Sequence, residues 1–254
     1  MIRALATDGE VRAACGDDDL LVWAAQGLRP GARAWALGDA VVAASPSVSR
    51  RDRMAVWGGA SCAAELVRHA LAELGPSYRP FGERELMRRV SARVDGVRPG
   101  GQFSWMSLPA AVHEHAGHED GAGDGSGAGV AWLGAGAGAD IAALLAVAAP
   151  DSYAIPGAAG VRRWAGLRIR GVLAAVAADA WSAPTVGFLA GVATGAGFRG
   201  RGLAERVCRW TSRELMRSHG RAALMVDDDN RAAIGVYERI GYRRVRVMAT
   251  SATG

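Results

Sequence analysis

Apolar residues along this chain come in two rhythms, and the switches between them mark the elements. In "ASCAAELVRHALAEL", 60–74, Ala64, Leu66, Val67, Ala70, Leu71 and Leu74 fall at helical spacing, which predicts an amphipathic helix. The same period runs through "RGLAERVCRWTSRELMRSHG", 201–220. There Leu203, Val207, Cys208, Thr211 and Leu215 make one apolar stripe, and Gly220 closes the helix. A third helix is predicted over "NRAAIGVYERIG", 230–241, with Asn230 as its cap and Gly241 at its end. "GERELMRRVSARV", 82–94, and "DIAALLAVAAP", 140–150, read as two more. Short apolar runs read as strands: "ARAWALG", "AVVAASP", "DRMAVWGG" and "GQFSWMSL" before residue 109, then two runs either side of Gly171, then "APTVGFLAGVAT", "AALMV" and "YRRVRVMA".

The second half therefore reads strand, strand, strand, helix, strand, helix, strand. That order predicts an α/β (α+β) fold, with a mixed central sheet and helices packed on its faces. Between the halves lies "HEHAGHEDGAGDGSGAG", 113–129, polar and glycine-rich without hydrophobic period, which reads as a linker. The expected organisation is an N-terminal α/β domain over 1–112, the linker, and a second domain over 130–254. Half of the 254 residues are apolar, enough for a substantial core.

Charge refines this picture. The net charge is +5, and every basic residue is arginine. Residues 130–254 hold 16 Arg against 9 acids, whereas residues 1–129 hold 14 against 16. A basic second half suits an anionic partner such as a phosphorylated cofactor. Cys15, Cys62 and Cys208 are far apart and odd in number, so no disulfide framework or CxxC site is expected. No long apolar leader or membrane-length run is present in the sequence, and the expectation is a cytoplasmic protein without a membrane partner.

The candidate chemistry begins at "FRGRGLA", 198–204, where Arg199, Gly202 and Ala204 stand at the spacing R-x-x-G-x-A. Gly200 and Gly202 allow the backbone to turn sharply. A helix then starts at about Leu203, and its first N–H groups have no partner inside the helix. Such a turn suits a phosphate or pyrophosphate, with Arg199 and Arg201 adding charge. A strand-to-helix connection with glycines for steric reasons alone would read the same. Further on, "NRAAIGVY" places Asn230, Ala233 and Tyr237 on a short helix. A phenol beside a phosphate-binding turn can donate a proton to a leaving group; otherwise Tyr237 is a core residue and Asn230 only a cap.

Together, "RGRGLA", "NRAAIGVY" and "ERIGY" resemble the GNAT superfamily of acyl-CoA-dependent N-acetyltransferases over roughly residues 150–248. The resemblance implies that acetyl-CoA lies in a cleft between two splayed parallel strands, about 186–194 and 222–226. It implies that the backbone of Val192, Ala193 and Thr194 pairs with the pantetheine arm. The amides of Arg199, Gly200, Arg201, Gly202, Leu203 and Ala204 would wrap the pyrophosphate, Asn230 and Ala233 would line the cofactor side, and Tyr237 would protonate the departing thiolate. It implies no metal and no covalent intermediate, which leaves Cys208 as a packing residue. The sequence departs from the family's pattern in lacking an acid on "TVGFLAGVAT"; Asp179 on the preceding strand is the nearest candidate base.

Three other signals compete. Gly134, Gly136 and Ala139 mimic a dinucleotide fingerprint, but "APDSYAIPG" follows where a second buried strand is required. His113, His115 and His118 cluster in the linker and read as solvated. The basic half lacks a nucleic-acid-binding signature, so no nucleic-acid partner is expected. The N-terminal half reads either as a degenerate second copy of the same fold or as an unrelated module for dimerisation or substrate selection. Trp105 in "FSWM" is expected in the core. The functional expectation is acetyl transfer to a primary amine, on a small molecule or a peptide, with Tyr153 in the acceptor-side segment 150–164. A non-catalytic acyl-CoA-binding or regulatory protein on the same fold is the alternative.

Overall fold

Small apolar residues let strands and helices approach closely here, and the resulting sheet runs through both halves of the chain. The computed structural model describes residues 1–108 and 129–252. The first half runs β1 (Arg3–Ala4), α1 (Asp8–Ala14), α2 (Asp19–Ala25), β2 (Arg33–Leu37), β3 (Ala40–Val48), β4 (Arg51–Trp57), α3 (Ala60–Leu74), β5 (Arg79–Glu83), α4 (Arg84–Ser91) and β6 (Val97–Leu108). The second runs β7 (Ala131–Trp132), α5 (Gly138–Ala148), β8 (Val161–Ile169), β9 (Val172–Ala180), β10 (Gly187–Thr194), α6 (Leu203–His219), β11 (Ala222–Asp227), α7 (Arg231–Arg239) and β12 (Arg243–Ala252). Apart from one extra N-terminal helix in the first, the two halves repeat one order of elements.

Among the described residues the twelve strands form one sheet in the order β1-β2-β3-β4-β5-β12-β6-β11-β10-β9-β8-β7. The final strand of each half is exchanged. β12 lies against β5, β6 lies against β11, and the two pair with each other at the centre. Two neighbours are parallel, β4 with β5 and β10 with β11, and each parallel step is crossed by a helix, α3 or α6. The expected division of the chain at residues 113–129 thus joins halves that share one sheet. Gly129 aside, that segment, with His113, His115 and His118, lies outside the described residues.

Strand alternation sorts the side chains onto two faces. Met106 in β6 and Met248 in β12 share a face, because Met248 pairs with Gln102, four residues before Met106. On that face α3 and α4, the latter through Met87, cover Met54 and Val56 in one half, and α6 and α7 cover Leu189 and Leu224 in the other. The opposite face carries α1, α2 and α5 and a core shared by both halves. Trp23 of α2 stacks on Phe188 of β10 at 4.6 Å and meets Trp105 of β6 at 5.4 Å and Phe81 of β5 at 6.5 Å. Its indole N–H donates to the Trp181 carbonyl at 2.9 Å. Trp105 is 2% exposed, a core residue as its sequence context suggests.

The helices over 60–74, 201–220 and 230–241 form close to where the pattern puts them. One boundary moves. Gly82 and Glu83, read as the start of a helix, belong to β5, and Glu83 caps α4 by accepting from the Glu85 and Leu86 amides. Gly82 has a packing reason: an added Cβ would lie 2.5 Å from the Val56 carbonyl oxygen on β4.

Candidate functional site

The site is built where β10 stops pairing with β11. The two are in register only over Gly187–Leu189 and Ala222–Leu224. Past Leu189 a bulge interrupts β10 between Ala190 and Ala193, with Gly191 at φ +59°. Such a bulge bends its strand away from a neighbour. β10 keeps its antiparallel partner, Ala193 opposite Val176 and Thr194 opposite Ala175 on β9. Among the described residues, its other edge, at Val192, Ala193 and Thr194, has no strand beside it. Unpaired strand edges can accept an extended ligand.

Among the described residues, Thr194 Oγ1 at this opening is buried without a hydrogen-bond partner, as is Trp164 Nε1 on β8. The Trp164 ring lies where a Cβ on Gly191 would be, 2.6 Å away at its nearest atom. Buried polar groups are almost always satisfied, so an orphan hydroxyl at the mouth of an open strand pair points to a polar ligand.

Beyond Thr194 the chain makes one short turn of helix over Ala196–Phe198 and then the glycine-rich turn. Gly200 sits at φ +73° and Gly202 at φ +71°, with Arg201 between them outside the positive-φ region. Alternation of this kind turns successive N–H groups toward one concavity, an anion-binding nest. A Cβ added at either glycine would meet nothing within 4 Å. These glycines are required by backbone conformation, and open space lies in front of them. No side chain caps α6 at Gly202, so its first amides point into that space, with the positive end of the helix dipole behind them. Arg199 and Arg201 are exposed beside the turn and Leu203 is buried beneath it. These features fit a pyrophosphate and an extended arm.

The corresponding place in the first half is closed. β4 and β5 stay paired to Val56 and Gly82. Only Gly58 and Gly59 connect β4 to α3, and a Cβ on Gly58, at φ +99°, would lie 2.0 Å from the Asp39 carbonyl oxygen. That connection is packed solid.

Asn230 caps α7, its Oδ1 accepting from the Ala233 amide at 3.1 Å, which leaves the carboxamide NH2 to donate elsewhere. Ala233 is half-buried. Tyr237, 6% exposed, packs between α7 and α6 with Tyr242 at 6.0 Å. Burial, then the neighbouring Cys208 and Tyr242, push its phenol well above the usual tyrosine value. The hydroxyl is therefore protonated across the physiological range. Tyr242, by contrast, is tied to Ser212 at 2.7 Å. Cys208 is fully buried and burial pushes its thiol up to about 12, a packing residue and not a nucleophile.

Asp179 lies elsewhere. It is fully buried, accepts from Arg163 Nε at 3.1 Å and Ser182 Oγ at 2.6 Å, and pairs across to Leu189 at the closed end of the strand pair. Arg163 in turn stacks on Trp132 at 3.8 Å. The structure does not bring Asp179 to the opening.

Comparison with known proteins bears on the fold that carries this opening. Residues 165–250 match the FR47-like protein family, a span that takes in β10, the turn, α6, β11 and α7. A GCN5-related N-acetyltransferase from Kribbella flavida superposes with a TM-score of 0.60 at 19% identity, covering 92% of this chain and 95% of that one. The chain has the GNAT fold. A GCN5-related N-acetyltransferase from Sphaerobacter thermophilus superposes at 0.53, 15% identity and 98% and 94% coverage. A GNAT-family acetyltransferase from Colwellia psychrerythraea does so at 0.54, 11% identity and full coverage of both chains. Among curated proteins none matches the chain. The coverage takes in both halves of the chain, so the first half is part of what superposes.

Two polar groupings that join the halves escaped the sequence reading. Tyr153 reaches the first half, where its hydroxyl accepts from the Arg51 guanidinium at 2.8 Å. Asp228, just after β11, gathers Arg84, Ser104 and Arg244 around it. Burial raises the Asp228 carboxyl, but hydrogen bonds from Ser104, Arg244 and Arg84 outweigh it and hold the group below the usual range. Neither grouping has a local sequence signal, because the partners come from opposite halves.

Proposed function

We propose that this chain transfers an acetyl group from acetyl-CoA to a primary amine by direct attack. The observation that carries the reading is the opening of β10 from β11 at the Gly191 bulge, leading straight into the Gly200–Gly202 nest at the start of α6. The open edge at Val192, Ala193 and Thr194 binds the pantetheine arm as an added strand, and Thr194 Oγ1 gains the partner it lacks. The amides from Arg199 to Ala204 bind the pyrophosphate, and the Asn230 carboxamide donates to the arm from the far side. The amine nitrogen attacks the thioester carbon, the carbon–sulfur bond breaks, and the Tyr237 hydroxyl gives the departing sulfur its proton; the amine proton leaves to water. The first half, with its repeated order of elements and its closed strand pair, acts as a degenerate GNAT-like copy that walls the acceptor side.

Titration calorimetry with acetyl-CoA, CoA and NADH tests the site. Micromolar binding of the first two and none of the third is expected; failure of both CoA species to bind refutes the reading. A second reading, a non-catalytic acyl-CoA-binding protein, is favoured by the engagement of Asp179 with Arg163 and Ser182, which leaves the amine without that base. Turnover on any amine in a broad panel excludes it.

A further inference from the structure

Among the described residues, Arg53 is a buried cation with no carboxylate partner. Arg53 on β4 is 7% exposed, and its guanidinium makes a single contact, Nε to the Val48 carbonyl at 3.4 Å, while lying 5.6 Å over the Phe81 ring. Its terminal nitrogens bond to nothing among the described residues, and no carboxylate pairs with it. The charges that act on it are Tyr153, Arg51 and Arg79. Arg79 on β5 is its register partner, and like charges placed side by side on a sheet destabilise it. Burial lowers Arg53 only to about 10, so it remains a cation at neutral pH. A largely buried cation without a carboxylate partner is costly, and the like charges of Arg51 and Arg79 nearby add to that cost.

The cluster stands on the same sheet face as α2 and α5, and two chains of contact join it to the acyl cleft. A Cβ at Gly191 would lie 3.1 Å from the Ala154 Cβ. Tyr153, the next residue back, stretches from there to Arg51. From the other side Arg53 covers Phe81, Phe81 meets Trp23, and Trp23 stacks on Phe188 of β10. One residue step of about 3.8 Å and one tyrosine side chain therefore separate the bulge from the arginines. An acceptor whose amine reached the bulge would hold its other end among them.

We propose that the acceptor is a small amine carrying an oxyanion, which Arg53 binds with the help of Arg51, Arg79 and the Tyr153 hydroxyl. The inference rests on the acyl-transfer reading above for the identity of the partner as an acceptor. The anion completes the hydrogen bonding of a guanidinium already held in place by Phe81. Apart from Tyr153, these residues belong to the first half, so acceptor choice is made by the half that lacks an open cleft.

Acetyl transfer would be compared on 6-aminohexanoate, 5-aminopentylphosphonate and the neutral 6-aminohexanamide, whose chains are long enough to span the bulge and the arginines, with wild type, Arg53→Met and the exposed-site variant Arg79→Gln. The wild type is expected to prefer an acidic acceptor by on the order of thirty-fold in kcat/KM, as losses of buried charge pairing give, and the better of the two acids identifies carboxylate or phosphonate. That preference should collapse in Arg53→Met and weaken in Arg79→Gln. Thermal unfolding checks the fold, and Arg53→Met should melt no lower than wild type. Calorimetry with succinate, without acyl-CoA, reads the anion site independently of transfer. Succinate binding lost in Arg53→Met, with no acetyl transfer to any amine, would retain the anion site and refute the enzymatic reading. Equal use of 6-aminohexanamide, or preference surviving in Arg53→Met, overturns the proposal while leaving acetyl transfer standing.

Discussion

Replacing Gly191 by alanine tests the link between the bulge and the cleft. An L residue at φ +59° carries a penalty of about 1–2 kcal/mol from its Cβ against the backbone. The new methyl would also lie 2.6 and 2.9 Å from two ring carbons of Trp164 and 3.1 Å from the Ala154 Cβ. Trp164 is 6% exposed and cannot swing into solvent, and overpacking of this kind costs about 1–3 kcal/mol. The sum is about 2–5 kcal/mol, a large part of a typical domain's stability. The nearest relief is to flatten the bulge, letting β10 run on beside β11 past Leu189 and closing the edge at Val192–Thr194. Urea denaturation followed by tryptophan fluorescence should show the loss as a lower midpoint at unchanged slope. Calorimetry should show acetyl-CoA binding at least about tenfold weaker. A Gly191→Ala protein with wild-type midpoint and wild-type donor affinity would refute the claim that this bulge holds the cleft open.

Other substitutions separate conformation from chemistry. Gly202→Ala meets no neighbour within 4 Å, so it should cost only about 1–2 kcal/mol of stability while weakening acetyl-CoA binding in the same titration. Tyr237→Phe should lower kcat about a hundredfold or more with little change in donor affinity; undiminished turnover would remove Tyr237 from the proton path. Asp228 is depressed in the folded state, so its contribution is present above the ordinary carboxyl value and lost as pH falls through the lower folded value. Asp228→Asn should therefore be less stable than wild type at neutral pH, with the difference shrinking in acid denaturation below about pH 4. Cys208, raised to about 12 by burial, should resist iodoacetamide at pH 8 until the protein is unfolded, as mass spectrometry of the labelled peptide would show.

Much of the second half was legible because its signals are local. Gly200, Gly202, Asn230 and Gly220 act within a turn or two of themselves, and the stripe from Leu203 to Leu215 shows its period in one helix. α2 was not legible. Six of its seven residues, Leu20 to Ala25, are buried, so it has no polar face to reveal a helical period, yet its Trp23 joins β5, β6 and β10. The arginine cluster hid for a different reason. In "RDRMAVW" Arg53 is one charge near the start of a strand, and only the register with Arg79 and the reach of Tyr153 make it a site. Alternation alone could have raised the question, since it puts Arg53 on the same side as the buried Ala55. Asp179 misled because strand neighbours in sequence need not share an end of the sheet with the cleft.

The exchange of β6 and β12 also bears on how the chain is made. During synthesis β6 emerges with both of its flanking strands, β11 and β12, still to come, and β5 waits for β12 as its second neighbour. Met106 finds its register partners only at Leu224 and Arg244. The first half therefore leaves the ribosome with unpaired strand edges at its centre, a state prone to aggregation, and pairing of such long range folds slowly. Expression of residues 1–108 alone should give an insoluble or partner-seeking chain. Co-expression with residues 129–254 offers each fragment the strand it is missing, and recovery of a soluble complex from two insoluble parts would show that the halves complete one another during folding.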